Sequence, residues 1–387
     1  MARRGNGEGS IYWQQSKQRW AAAVSLDRGK RKVLYGKTRQ EVAKKLTTAL
    51  KTREQGLPFT PDRLTVARYL DEWLEQSARP KLRPSTFVTY QHYVRAHIVP
   101  ALGTHPLGKL APHHVQRFLN DRLATGLAPR TVQQIHAVLR SALNRAVKWQ
   151  LIPCNVASGE LIDPPRASYP DIRPLDPQQA ERLLAAAAGH RYEHLYAFLL
   201  STGLRLGEAL ALRWHDEDGR VLVDPDARRA TIRYSLERLR GQPWRFSEPK
   251  SESGRRSVPL TAPALSALRA QRRRVAEMRL KVADAWQDHD LVFPSAVGTP
   301  LDGSNVYHEY KKLLKHAGLP LSHRPHDLRH TTATYLLHSG VDPRIVMEIM
   351  GWSQVSMLKR YQHILPAMLD DAAARLESVL PGAGSRV

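Results

Sequence analysis

The chain has 387 residues, enough for two or three cores, and 59 Lys and Arg against 36 Asp and Glu, a net charge of +23 with a pI near 10.4. Basic residues cluster and recur in every segment, which argues for a polyanionic partner and salt-dependent binding and against a charge that serves solubility alone. The single cysteine, Cys154, excludes an intramolecular disulfide, and zinc spacings, a membrane-length apolar run and a signal-peptide core are missing, so a cytoplasmic protein without a metal centre is expected.

Residues 1–57 carry 14 Lys and Arg against 4 Asp and Glu. Gly9-Ser-Ile-Tyr-Trp-Gln, Arg19-Trp-Ala-Ala-Ala-Val-Ser-Leu and Lys32-Val-Leu-Tyr read as three strands, with turn residues Asp27-Arg-Gly before the third. Thr38, with Glu41 three residues on, has the form of a capping box and starts a helix. Gly56-Leu-Pro-Phe-Thr-Pro61 reads as a linker. Residues 62–157 then read as helical throughout. Val66, Tyr69, Leu70, Trp73 and Leu74 fall at helical spacing, as do Val132, Ile135, Val138, Leu139, Leu143 and Val147. Ser85 is placed as the cap of a helix that follows Pro84. The proline-rich stretch from Leu161 to Pro174 reads as a hinge. From Asp176, which caps a helix with Pro177 at its first position, a mixed α/β region runs to about Leu380. Val221-Leu-Val, Ala230-Thr-Ile-Arg-Tyr and Arg255-Arg-Ser-Val-Pro-Leu are its expected strands. The tail Pro381-Gly-Ala-Gly-Ser is expected to be disordered, and no internal repeat is seen.

Four short motifs carry chemistry. They are Thr202-Gly-Leu-Arg205-Leu-Gly-Glu208, His326-Asp-Leu-Arg329-His330-Thr-Thr-Ala-Thr, Gly351-Trp352 and Lys359-Arg360-Tyr361. Arg205 is expected just inside a helix, with Glu208 one turn on and on the same face. His326 and Arg329, three apart, project from one helical face. That helix is expected to end at Ser339-Gly340, the next to start at Asp342-Pro343 and end at Gly351, and Ser353 to cap a third that carries Tyr361. A phosphodiester resists attack because its non-bridging oxygens are anionic. Fixed cations and hydrogen-bond donors lower that barrier without a metal. The planar fork of arginine matches two phosphate oxygens, and an imidazole suits proton transfer near neutral pH. A tyrosine that attacks phosphorus forms an aryl phosphate, which keeps the bond energy for rejoining.

The ordered set Arg205, Lys250, His326, Arg329, Trp352 and Tyr361 resembles the active site of the tyrosine recombinases, the phage integrase family, of the kind found on actinobacterial phages and integrative elements. The resemblance implies a multidomain α+β protein in three parts: an arm-type DNA-binding domain over 1–57 (three-stranded sheet plus helix), an all-α core-binding domain over 62–157, and a mixed α/β catalytic domain over 171–387 that includes the C-terminal tail. It implies that Arg205 and Arg329 clamp the scissile phosphate and that Glu208 orients the site. His326 would be a general acid/base near the tyrosine and Tyr361 the nucleophile. Lys250, in a β-hairpin spanning Ser247 to Leu260 with a Ser/Gly-rich tip, would be the general acid at the leaving 5′ oxygen. Trp352 stands where the family usually has His. Its indole N–H still donates to a phosphate oxygen, but it cannot shuttle protons. His330 reads as structural rather than catalytic, Arg255 and Arg256 as strand or backbone-contact residues, and Tyr335 as core.

The implied activity is site-specific integration and excision of a mobile element, through a 3′-phosphotyrosyl intermediate and a Holliday junction, with no cofactor. The implied partners are duplex attachment sites of core and arm type, three further copies of the chain in a tetramer, an excisionase and a DNA-bending host factor, on the nucleoid and not at a membrane. Tyr12, Trp13, Lys17, Arg19, Trp20, Arg31 and Lys32 are candidate arm-DNA contacts. Lys81, Arg83, Arg130 and Lys148 are candidate phosphate contacts. The alternatives are a non-catalytic DNA-binding protein on the same scaffold, which would form no covalent adduct, and a type IB topoisomerase, which shares the chemistry but lacks the N-terminal unit. A two-metal nuclease would need a carboxylate triad, which the acids here do not form.

Overall fold

Side-chain alternation along three short strands decides how the N-terminal segment folds. In the computed structural model, which describes residues 10–25, 31–54, 64–167, 174–239, 241–249 and 254–364, β1 (Ser10–Gln14), β2 (Arg19–Ser25) and β3 (Arg31–Gly36) form an antiparallel sheet in chain order, and α1 (Arg39–Glu54) covers one face. Ala22 and Val24 bury against Val42, Leu46 and Ala49 of that helix, flanked by Ile11, Trp20 and Leu34. Trp13 pairs with Trp20 across the strands, ring edge to face at 5.5 Å. The opposite face carries Tyr12, Arg19 and Tyr35, with the Arg19 guanidinium 4.1 Å from the Tyr35 ring centre. Thr38 Oγ1 accepts the Glu41 N–H at 3.1 Å as the capping box requires, while Glu41 accepts from the Lys37 N–H at 2.9 Å rather than from that of Thr38.

The helical region contains α2 (Val66–Trp73), α3 (Pro84–Tyr93), α4 (Val99–Leu102), α5 (Pro112–Ala124) and α6 (Pro129–Lys148). The apolar stripes of α2 and α6 face each other, and the Tyr69 hydroxyl donates to the Ala142 carbonyl at 2.6 Å. Arg83 takes the cap position of α3 and Pro84 its first turn, so Ser85 lies inside the helix and not at its cap. Lys81, Arg145 and Lys148 line a groove of about 230 Å³ beside Trp73 and Tyr90. Arg130 sits at the other end of α6, roughly 27 Å away along its axis. Packing continues into the proline-rich stretch: Ile162 is buried, Asp163 N–H donates to Gln116 at 2.8 Å, and Gln133 donates to the Pro165 carbonyl at 2.7 Å.

Contacts divide the chain into two units, residues 1–169 and 170–387. The second contains, in order, α7 (Pro177–Ala187), α8 (Glu193–Thr202), α9 (Leu206–Leu210), β4 (Val223–Asp224), β5 (Arg229–Ile232), β6 (Ser235–Arg238), β7 (Trp244–Ser247), β8 (Arg256–Pro259), α10 (Ala262–Val282), α11 (Gly303–His316), α12 (Pro325–His338) and α13 (Pro343–Met350). Asp176 caps α7 as expected, its Oδ1 accepting from the Gln179 N–H at 2.7 Å. Helices α8, α10 and α11 enclose the core around Tyr196, Phe198, Leu268, Val306 and Tyr310. The strands correct the expected hairpin. β8 pairs with β5, in the sheet β4-β5-β8, while β7 pairs with β6. The reversal therefore lies between β6 and β7, where Gly241 adopts φ +75° and the Gln242 N–H closes on the Leu239 carbonyl at 2.9 Å. The Ser/Gly-rich segment that carries Lys250 instead joins β7 to β8, and residues 250–253 lie outside the described residues.

Candidate active site

Four pieces of chain meet in the second unit. The first is the α8–α9 junction. Gly203 ends α8 in the left-handed region (φ +66°), and a Cβ there would come within 2.6 Å of Met350 Cε. Arg205 is the extended cap residue before α9, one step outside the helix where the sequence placed it. Its Nη1 donates to Glu208 Oε1 at 2.6 Å, and its own N–H donates to Glu208 Oε2 at 3.0 Å. The Arg205 side chain as a whole remains about 40% exposed, in contrast to the buried Glu208 that it binds.

Glu208 has a second cation that the sequence reading missed. Arg256 on β8 donates Nη2 and Nη1 to the two Glu208 oxygens at 2.8 and 3.2 Å, and Nε to the Ile349 carbonyl of α13 at 2.7 Å. Both side chains are about 4% exposed. Burial raises the Glu208 pKa, but the hydrogen bonds and charge of Arg256, with Arg205 beside it, outweigh that and hold the carboxyl down at about 2. The signal was present: Arg256 falls in register with Val258 and Leu260, on the buried face of a strand, where an arginine requires an acid.

The third piece is α12. Thr332 Oγ1 donates to the Leu200 carbonyl at 2.8 Å, which fixes this helix against α8. Arg329 is 2% exposed. Its Nη1 donates to the Gly203 carbonyl at 2.7 Å and its Nη2 to the Met350 carbonyl. Burial first, then the Arg205 charge, push its pKa down to about 9, which leaves it charged at neutral pH. His326 has a solvent-open edge but is crowded by protein on its other sides. That crowding, followed by His330, Arg329 and Arg205, lowers it to about 4, so it is neutral at pH 7.

The fourth piece follows α13. Gly351 ends that helix at φ +62°, and the Trp352 N–H returns to the Met347 carbonyl at 2.9 Å, which seats the indole beside Arg329, 5.9 Å from guanidinium carbon to ring centre. Among the described residues no α-helix follows from Ser353. Val355–Ile364 forms 3-10 turns with a break at Tyr361 (φ −111°, ψ 17°). Tyr361 is 2% exposed, stacked on Trp352 at 5.4 Å with 26° between planes, and its hydroxyl lies 2.6 Å from His330 Nδ1. Tyr335 is turned elsewhere, donating to the Leu175 carbonyl at 3.1 Å.

Of the six residues singled out in sequence, five thus lie in one neighbourhood, and Lys250 is outside the described residues. Arg205 and Arg256 share the Glu208 carboxylate while Arg329 is held by main-chain carbonyls, so three cations against one anion leave an excess of positive charge that suits a bound anion. Among the described residues no group of three or more His, Cys, Asp or Glu is arranged to hold a metal ion, and no helix is long and apolar enough to cross a membrane.

Residues 173–368 match the Phage integrase family, and residues 65–123 match the N-terminal SAM-like domain of phage integrases. An integrase of Streptomyces ambofaciens is 30% identical over 97% of this chain and 97% of its own length. The Tn1549 transposon integrase, solved with circular-intermediate DNA, shares the fold with a TM-score of 0.68 at 22% identity, over 82% of this chain and 100% of that one. A lambda integrase tetramer bound to a Holliday junction aligns with a TM-score of 0.56 at 17% identity, over 89% and 97%. The motifs, the architecture and these matches together make the chain a member of the phage integrase family of tyrosine recombinases.

Proposed function

We propose that the chain is a site-specific DNA recombinase that integrates and excises a mobile element, with Tyr361 as nucleophile. The observation that carries this reading is the contact series Arg329–Trp352–Tyr361–His330, which ties a buried cation to a buried phenol in the same unit as the partly exposed Arg205. In this reading Arg205 and Arg329 neutralise the non-bridging oxygens of the scissile phosphate, and Glu208 and Arg256 hold Arg205 in place. His326, neutral at pH 7, donates a hydrogen bond from its ring N–H to the phosphate, and the Trp352 N–H donates another. Tyr361 Oη bonds to phosphorus as the P–O5′ bond breaks, leaving a 3′-phosphotyrosine. Lys250, assigned on its sequence position, protonates the departing 5′ oxygen. The freed hydroxyl of a second duplex then reverses the step, and two rounds pass through a Holliday junction.

Residues 1–57 are assigned to arm sites, 62–157 to core sites and 171–387 to catalysis. The net charge of +23 supports a DNA partner. On the N-terminal sheet, the open face with Tyr12 and Arg19 is the better candidate for the groove than the helix-covered face with Trp13 and Trp20. The likeness to a lambda integrase tetramer supports four copies acting together. An excisionase and a DNA-bending host factor complete the proposed assembly.

The test is a nicked duplex carrying the junction of the element that encodes this chain, incubated without divalent metal and denatured in SDS. Wild type is expected to give a covalent adduct and Tyr361→Phe none. DNA binding without an adduct from wild type would overturn the recombinase reading in favour of a DNA-binding protein.

A further inference from the structure

The sequence pointed to His326 as the base near the tyrosine, yet the imidazole that meets the phenol is that of His330. Its Nδ1 lies 2.6 Å from Tyr361 Oη, at the short end for a hydrogen bond from a hydroxyl. His326 sits one helical turn earlier, edge to face with His330 at 4.9 Å between ring centres, and its own edge is open to the surface. Tyr361 is 2% exposed, so bulk water has little access to its proton. A phenol must lose that proton as it bonds to phosphorus, and a buried phenol must lose it to a neighbouring group.

We propose that His330 is the general base of the cleavage step, taking the Tyr361 proton directly on Nδ1, and that His326 serves the phosphate instead. The proposal rests on Tyr361 being the nucleophile. With the ring proton on Nε2, the Nδ1 lone pair accepts the phenolic proton while the Oη–P bond forms. The P–O5′ bond breaks with its electron pair on the 5′ oxygen, which takes a proton from an acid, Lys250 in the reading above. His330 becomes an imidazolium held near the cationic cradle, a state that favours returning the proton. On rejoining it gives that proton back to the departing phenolate oxygen, so the residue ends as it began. The Trp352 stack keeps Oη in line with Nδ1 by fixing the plane of the phenol. Arg329, the residue before His330, is buried through two backbone carbonyls, and this holds the start of α12 where both functions need it.

The experiment measures the rate of adduct formation by the full chain on the nicked junction duplex under single turnover. His330→Ala is expected to slow the adduct roughly 100-fold or more while DNA affinity and thermal midpoint stay near wild type. Added imidazole is expected to recover at least tenfold of that loss, because it fits the vacated space and restores a base without restoring the covalent framework. His330→Asn, which keeps a hydrogen-bond acceptor of little basicity, is expected to fold and to remain slow. It also tests the idea should the alanine variant misfold. An adduct rate for His330→Ala within threefold of wild type would overturn the assignment. So would a wild-type rate for His330→Asn, or a slow His330→Ala that imidazole leaves slow. Tyr361→Phe run alongside separates the two readings: an adduct from that variant sinks the nucleophile assignment itself, whereas its absence with a fast His330→Ala sinks only the base.

Discussion

The cation cradle and the segment that carries Tyr361, the proposed nucleophile, lie side by side and are built differently. The cradle hangs on regular elements: the α8–α9 junction, β8, α12 and the end of α13. Each buried guanidinium there is tied to main-chain carbonyls or to Glu208. Tyr361 sits in 3-10 turns with a break at its own backbone, and the Trp352 stack and the His330 bond seat it. The contrast fits the role proposed for each part. Charge that stabilises a transition state works best when it is already oriented, since reorganisation at the moment of reaction costs free energy. A nucleophile that becomes covalently attached to DNA and is then released must move.

The sharpest way to break the cradle is through its one carboxylate. Glu208→Gln leaves Arg256 buried without its counter-charge, an expected loss of about 3–5 kcal/mol, read as faster hydrogen exchange of the β8 and α9 amides. The same residue sets a pH limb. Its folded pKa, near 2, lies below the unfolded value of 4.5, so its contribution is complete above about pH 4.5 and is lost as pH falls toward 2. Glu208→Gln should lack that limb. An acid profile identical to wild type would show that the pair contributes nothing to the fold.

A smaller break is Arg329→Lys. The charge survives, but one ammonium cannot span the Gly203 and Met350 carbonyls as the guanidinium does. Adduct formation is expected to fall roughly 100- to 1,000-fold while Tyr361 keeps its place on Trp352. Loss of DNA binding in proportion to rate would instead make Arg329 a binding residue only.

The finest test sharpens the boundary between the two parts. His326 is neutral in the free protein because protein crowding and then its cationic neighbours hold it at about 4. A phosphate anion beside it reverses that influence and raises its pKa. Binding of the junction duplex near pH 6 is therefore expected to take up a fraction of a proton, seen as a dependence of calorimetric heat on buffer ionisation enthalpy. His326→Gln should remove it. An unchanged uptake would place the titrating group elsewhere.

Much of this molecule was readable one residue at a time. Local rules set the caps at Thr38 and Asp176, the glycine stops at Gly340 and Gly351, and the buried stripes of α2 and α6, because each depends on neighbours within a few residues. The order of Arg205, His326, Arg329, Trp352 and Tyr361 was legible for the same reason, as short motifs that carry their own geometry. Strand pairing was not. That β7 turns back to β6, while β8 crosses to β5, depends on partners distant in sequence. Nor was the choice between two histidines four residues apart on one helix, since both point toward the same side and only the packing of Trp352 and Tyr361 decides which ring the phenol meets. Arg256 shows the same division. Alternation put it on the buried face, but its partner, 48 residues away on another element, exists only in three dimensions. The sequence alone thus determined the chemistry available to this protein. Tertiary structure decided which of those groups touch, because burial and contact are properties of the packed chain and not of any segment of it.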